Sequence, residues 1–275
     1  GMEGGNAAAE LLCGVGSPSG KLSDTFAKKL EDYPSSETFH ESVKYVDYKE
    51  DIYVGYRYFE TIPGADKAVN YPFGYGLSYT TFERALVSAE EKQGVIRVRV
   101  NVTNTGKYPG KEVMQLYAQA PQGVLGKAKR VLAAFEKTRL LAQGETQLLT
   151  LEAPVAQLAS YDDLGKIQKS AYVLEKGKYQ FYLGTSVRET EQVFCFTMPE
   201  DTVTEQLTAK LVPTSLAERM LSDGSFEKLP QSEPNDPDYS AIKRVPREES
   251  DGFSPAVRAP VSYTHLRAHE TELHL

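Results

Sequence analysis

The chain has 275 residues, 40% apolar and 25% charged, a composition that excludes a disordered, collagenous or disulfide-scaffold protein. Its net charge of -7 argues against a phosphate-binding surface and so against nucleic acid as a partner. No run of about 18 apolar residues is present, so no membrane-spanning helix is encoded. Cys13 and Cys195 are its only cysteines, which fits a reducing compartment or a fold that needs no bridge. The lack of Trp, against 17 Tyr and 11 Phe, weighs against a main ligand site built on indole stacking.

In chain order, residues 3–12 (E-G-G-N-A-A-A-E-L-L) predict a helix with Asn6 as N-cap, stopped by Gly14 and Gly16. The chain opens on Gly1, with Met2 inside this loop-to-helix junction, which reads as a natural start lying upstream and leaves any leader peptide unread. Ser17-Pro18-Ser19-Gly20 is a turn, Lys21 and Leu22 start a short extended piece, and residues 31–50 read as a polar surface loop. Residues 51–59 (D-I-Y-V-G-Y-R-Y-F) alternate as a strand covered on both sides, with Ile52, Val54, Tyr56 and Tyr58 on one face. Residues 71–82 (Y-P-F-G-Y-G-L-S-Y-T-T-F) predict a packed aromatic loop. From about 94 the character changes. Ile96, Val98, Val100 and Val102 alternate with Arg97, Arg99, Asn101 and Thr103 as a half-buried strand ending in the turn Asn104-Thr105-Gly106. Further strands at 111–119, 130–138, 145–152, 178–185 and 193–197, with no helices between them, predict an antiparallel sandwich. Residues 213–222 suit a short amphipathic helix with Leu216, Met220 and Leu221 as its face, and 223–259 read as a Pro-rich linker, partly disordered. Residues 260–271 (P-V-S-Y-T-H-L-R-A-H-E-T) back-translate to the transposase-adapter DNA of sequencing libraries, so 260–275 is expected to be adapter read-through. His265, His269 and His274 lie in that tail, and their near-helical spacing is not taken as a metal site.

Several residues invite a chemical reading, and each also has a plain one. Gly-x-Glu-Gly-Gly-Asn at a helix start can bind an anion or simply pack as a tight loop. Asp47, Glu50, Asp51 and Glu60 resemble an acid/base set, but Glu50 and Asp51 diverge as neighbours, and solvated charges are the simpler account. Arg57, inside an apolar strand, should be buried and paired with a carboxylate. Tyr53, Tyr56, Tyr58 and Tyr161-Asp162-Asp163 can stack on sugars or serve as core. Ser17, Ser19 and Ser78 lack a His partner, since His40, the one histidine outside the tail, sits in a polar loop.

Taken together, eight ordered blocks resemble glycoside hydrolase family 3 β-glucosidases. They include G-M-E-G-G-N-A-A-A-E-L-L-C-G (1–14), S-P-S-G-K-L-S-D-T-F (17–26), Y-K-E-D-I-Y-V-G-Y-R-Y-F-E (48–60), the 71–82 aromatic loop, V-T-N-T-G-x-x-x-G-K-E-V-M-Q-L-Y (102–117) and G-K-Y-Q-F-Y-L-G-T-S-V-R (177–188). The match departs at Ser23 and Ala27, where the family usually has Pro. The resemblance implies an α/β fragment followed by an all-β immunoglobulin/fibronectin type III-like sandwich. Residues 1–82 would be the C-terminal part of the family's α/β sandwich domain, 83–197 the sandwich, and 198–259 a linker with a short helix. It further implies retaining hydrolysis of a β-glucoside or oligosaccharide by two carboxylates. In this family one belongs to a (β/α)8 barrel and the other to an earlier part of the α/β domain. No residue here matches either motif, so no catalytic, cofactor-binding or metal role is carried over. L-V-P-T-S-L-A-E-R-M-L-S-D-G (211–224) is similar to a subgroup with the barrel last, whose gut-bacterial members suggest a cytoplasmic setting. The expectation is therefore a scaffold that does not turn over substrate alone. The alternatives are a fibronectin-like carbohydrate- or protein-binding module without enzymatic role, favoured by an exposed coplanar aromatic row, and a truncated chain prone to aggregate.

Overall fold

A computed structural model describes residues 3–40, 42, 46–209, 212 and 216–230. Helix α1 spans Gly4–Leu12, where the Ala-rich run propagates the helix, and Gly14 at φ 72° ends it. Glu3, not Asn6, is the N-cap; Asn6 lies in the first turn and donates to the Glu3 carboxylate at 2.6 Å. Strand β1 (Phe26–Ala27) pairs antiparallel with β2 (Val69–Tyr71).

The strand expected over 51–59 is not formed. Asp51 at φ 51° and Gly55 at φ 55° both take left-handed conformations, which break an extended run. A short helix α2 follows at Tyr56–Phe59, with Glu60 N–H donating to the Tyr56 carbonyl at 2.9 Å. Helical spacing serves the aromatic side chains better than alternation here. Tyr53 and Phe59 are buried, and Tyr56 stacks on Phe73 with ring centroids 4.3 Å apart.

The sandwich matches its expected pattern. Strands β3 (Phe82–Lys92), β4 (Val95–Asn104) and β7 (Thr146–Pro154) form one antiparallel sheet in the order β3-β4-β7. Strands β5 (Val113–Gln119), β6 (Val131–Lys137), β10 (Gly177–Gly184) and β11 (Thr190–Met198) form the other, ordered β11-β10-β5-β6. Ile96, Val98, Val100, Val102, Leu149 and Leu151 of the first sheet meet Met114, Leu116, Phe181 and Leu183 of the second in one fully buried core. Burying such side chains is worth roughly 1.5–3 kcal/mol each, so this layer dominates the stability of the region.

Two features were not anticipated. Strands β8 (Ser160–Asp162), β9 (Ala171–Leu174) and β12 (Thr202–Gln206) make a third small sheet in the order β12-β9-β8. Strands β13 (Glu218–Met220) and β14 (Phe226–Lys228) form a hairpin. The described part of the segment expected to be linker therefore carries three strands, and the helix expected over 213–222 is a strand at Glu218–Met220. The alternation of Glu218, Arg219 and Met220 lets Arg219 reach three carboxylates while the backbone N–H of Met220 bonds to the Lys49 carbonyl at 2.7 Å. Residues 231–275, with the rest of the linker, the adapter-like tail and its histidines, lie outside the described residues.

Candidate functional site

Two features join the leading segment to the sandwich, and the second also takes in the hairpin. The first is a seat on the outer face of β5. Gln115 and Tyr117 point away from the core, yet both are buried, because the aromatic loop after β2 covers them. The Gln115 amide donates to the carbonyls of Gly74 (3.2 Å) and Thr185 (2.6 Å), and its carbonyl accepts the Tyr117 hydroxyl. Gly74, at φ 80°, is required twice over: its conformation is left-handed, and a Cβ would lie 2.2 Å from the Gln115 Oε1. Phe73 stacks on Tyr56 and meets the Tyr117 ring edge-on at 6.5 Å. The Tyr56 hydroxyl accepts from the Leu132 N–H, capping the edge of β6. Burial pushes the Tyr117 hydroxyl far up, so it stays a neutral donor. Ion pairs Lys21–Glu112 (2.7 Å) and Arg188–Glu60 (2.7 Å) rim the seat.

The second feature is a cavity of about 600 Å³ lined by β6, the 157–163 segment, the 125–128 turn, Asp51, Ile52, Arg57 and Arg219. Val131, Leu132, Ala133, Leu158 and Ala159 give it an apolar wall. At one side Arg219 gathers Asp163 (2.9 Å), Glu227 (2.8 Å) and Asp51 (3.7 Å), while Lys166 holds Glu227 at 3.0 Å. Lost hydration raises the Asp51 carboxyl; Arg219 opposes the rise, and Asp163 and Glu227 add to it. Partial burial works against the charge on Glu227 too, but hydrogen bonds from Lys166 and Arg219 overcome it and hold that carboxyl below its ordinary range. Asp162, nearly inaccessible, would likewise be raised by burial. Four backbone N–H bonds, from Gly165, Lys166, Ile167 and Gln168 at 2.6–3.0 Å, lower it instead. Below the cavity Lys127 and Glu175 form a buried ion pair, and Glu175 also accepts the Val124 N–H at 2.7 Å.

The residues singled out from sequence are thus distributed differently from expectation. Arg57 is exposed, its guanidinium 6.0 Å over the Tyr56 ring; the helical turn rotates it outward, and the buried or shielded cations are Lys127 and Arg219 instead. Glu50 is buried, so it is not a solvated charge, and Glu60 is half-buried against Arg188. Asp51 lies at the cavity, whereas Asp47 joins no described ion pair. Tyr53, Tyr56 and Tyr58 belong to packing. Tyr161 and Tyr172 are exposed neighbours across β8 and β9, but their rings are tilted by 54° and do not make a coplanar row. The Ser17 and Ser78 hydroxyls contact each other at 3.0 Å, and His40 packs on Phe39. At the start of α1 the Glu3 side chain makes no capping bond to the backbone, and its carboxylate accepts from the Asn6 amide instead. Both cysteines are free and exposed. Sequence reasoning missed Arg219, Lys127 and Glu175. Lys127 and Glu175 are 48 residues apart, and only the pairing of β5 with β10 brings their loops together.

A sequence model described as the glycosyl hydrolase family 3 C-terminal domain matches residues 1–79, and one described as a fibronectin type III-like domain matches residues 112–187. The chain belongs to glycoside hydrolase family 3. It is 57% identical over 263 residues to β-glucosidase A of Butyrivibrio fibrisolvens, covering 90% of this chain and 32% of that protein. It is 46% identical to a β-glucosidase of Ruminococcus albus, covering 84% of this chain and 24% of that protein. Among solved structures, a β-glucosidase from Paenibacillus barengoltzii superposes with a TM-score of 0.77 at 48% identity, over 84% of this chain and 27% of that one. β-Glucosidase 3B of Thermotoga neapolitana, solved in complex with glucose, gives 0.65 at 40% identity over 73% of this chain and 27% of that one. The chain thus spans 24–32% of the length of these family 3 relatives. Among the described residues no helix is long and apolar enough to cross a membrane.

Proposed function

We propose that the chain is the scaffold portion of a retaining β-glucosidase-type hydrolase acting on β-glucosides or oligosaccharides, and that it supplies neither catalytic carboxylate. The observation that carries this reading is the commitment of the acidic side chains around the cavity. Retaining hydrolysis needs two carboxyls about 5 Å apart, one free to protonate a leaving oxygen and one free to attack carbon. Here Asp162 is spent on four backbone N–H groups, Glu175 on Lys127, and Asp51 and Asp163 are bridged by one guanidinium. A guanidinium held between two carboxylates occupies the oxygens that would have to attack carbon or carry the proton to a leaving group. Positioning is what such a scaffold contributes: a misplacement of about 1 Å can cost on the order of 100-fold in rate.

On this reading the partner of the leading segment is the remainder of an α/β domain together with a (β/α)8 barrel, following the domain order with the barrel last, in a cytoplasmic enzyme. The exposed Leu12, Val15 and Leu77 offer apolar surface for such a neighbour. The test is an aryl β-glucoside assay of this chain beside the longer gene product that contains it. Turnover is expected from the longer protein alone. Release of aglycone by this chain by itself would overturn the assignment.

A further inference from the structure

We propose that the cavity between β6, the 157–163 segment and Arg219 binds a neutral, hydroxyl-rich ligand, a short oligosaccharide. Its volume of about 600 Å³ falls in the range of small-molecule sites, roughly 300–1,000 Å³. The lining has two characters. Leu132, Ala133, Leu158 and Ala159 form an apolar wall that suits the C–H faces of a pyranose. The same lining carries acceptors and donors: the Asp51 and Asp163 carboxylates, the Arg219 guanidinium, and the side chains of Gln157 and Ser160. Asp51 and Asp163 keep 36% and 41% of their side-chain surface accessible, so each retains room to accept a hydroxyl while still touching Arg219. Tyr161, also accessible, stands at the lining beside them and presents a ring to a second sugar unit.

The charge balance selects a neutral ligand. The basic and acidic lining residues nearly cancel once Glu175 and Glu227, paired to Lys127 and Arg219, are counted. An anion entering would meet Asp51, Asp163 and Glu227 around Arg219, and the second guanidinium at the lining, Arg57, lies 6.0 Å over the Tyr56 ring at the exposed side. A cation would have to displace Arg219 from the same three carboxylates. A polyol needs neither exchange, because hydroxyls both donate and accept. The site is built from three parts of the chain, namely Asp51 of the leading segment, Gln157 to Asp163 of the sandwich and Arg219 of the hairpin, so it exists only where all three are folded together. The ligand class follows from this lining and not from the hydrolytic activity proposed above, and the two can fail separately.

The experiment is a titration of the full chain with cellotriose followed by amide chemical shifts. Saturable shifts are expected at residues 51–52, 157–163 and 219. Tyr161→Ala should weaken binding by up to about tenfold, the equivalent of one aromatic contact. Ala159→Phe, which fills the apolar wall, should abolish binding while the dispersion of the other amides stays unchanged. Glucuronic acid and glucosamine, one ring with opposite charges, should each bind more weakly than glucose. Absence of saturable shifts, shifts confined to other surfaces, tighter binding of either charged sugar, or binding untouched by Ala159→Phe would overturn the proposal. None of these outcomes bears on whether the longer gene product cleaves aryl glucosides.

Discussion

Asp162 shows how one side chain organises a turn. Its two oxygens collect the N–H groups of Gly165 to Gln168, donors that a tight turn cannot otherwise satisfy. Asp162→Ala should cost about 3 kcal/mol, since a hydrogen bond to a charged acceptor is worth about 1.5–3 kcal/mol and four part-buried N–H groups lose their partner; urea unfolding would measure it. The pH sign follows from the lowered carboxyls of Asp162 and Glu227, whose ordinary values are 3.8 and 4.5. A depressed folded-state value stabilises above the unfolded value, and this is lost as pH falls through the folded one. Asp51 runs the other way, because its raised carboxyl is relieved by protonation, but hydrogen bonds lower Glu145 and Asp223 as well, so it stands against four lowered groups. Melting temperature should therefore hold from pH 7 to about pH 5 and fall below about pH 4, and Asp162→Asn should flatten that fall. A steeper acid loss in the Asn variant would refute the account. The buried Lys127–Glu175 pair makes a sharper case. Lys127→Met should destabilise by about 3–5 kcal/mol by stranding a carboxylate, whereas Lys127→Met with Glu175→Leu should recover most of it, as read from a double-mutant cycle.

At the scale of elements, what could be read from sequence depended on how local the deciding force was. The alternation of Ile96, Val98, Val100 and Val102 announced β4 because one core face buries all four. The helix α1 was legible from its Ala run and Gly14. The segment from Asp51 to Phe59 misled because its apolar residues fit a period of two as well as a period near three. The spacing Tyr53, Tyr56, Phe59 was the usable signal, and the glycine at 55 was the break. Hairpin β13–β14 was hidden for a different reason. Its strands of three residues bury little and are held by Lys49, Asp51, Asp163 and Lys166, all remote in sequence. Arg219→Met should release it at a cost of about 2 kcal/mol, between an exposed and a buried pair. Hydrogen exchange would register this as lost protection at Met220 and Leu221, with the sandwich core unchanged.

At the scale of the whole molecule, the cavity could not be seen in sequence at all, because Asp51, Asp163 and Arg219 come from segments more than 50 residues apart. Among the residues singled out from sequence, Asp51, Arg57 and Tyr161-Asp162-Asp163 lie at it, but nothing in the sequence joined them, and Asp162 proved to be a turn organiser. The association of the leading segment with the sandwich rests on the seat at β5. Gln115→Leu should remove its bonds to Gly74 and Thr185 and leave the Tyr117 hydroxyl short of an acceptor, at about 2–3 kcal/mol. Limited proteolysis should then open the chain between residues 60 and 80 well before the sandwich is cut; equal resistance in the two proteins would show that the seat is held by other contacts.

The covered outer face of β5 has a practical outcome for anyone cutting this protein into modules. A boundary drawn after residue 82 divides the sequence where its family resemblance changes, but it leaves Gln115 and Tyr117 wetted on a strand that was built dry on both sides. An excised sandwich would carry a tyrosine-lined scar and a bare β6 margin where the Tyr56 hydroxyl used to sit, which invites strand-to-strand pairing between copies. Soluble expression of the isolated sandwich calls for keeping the stretch from Tyr56 to Tyr75 attached.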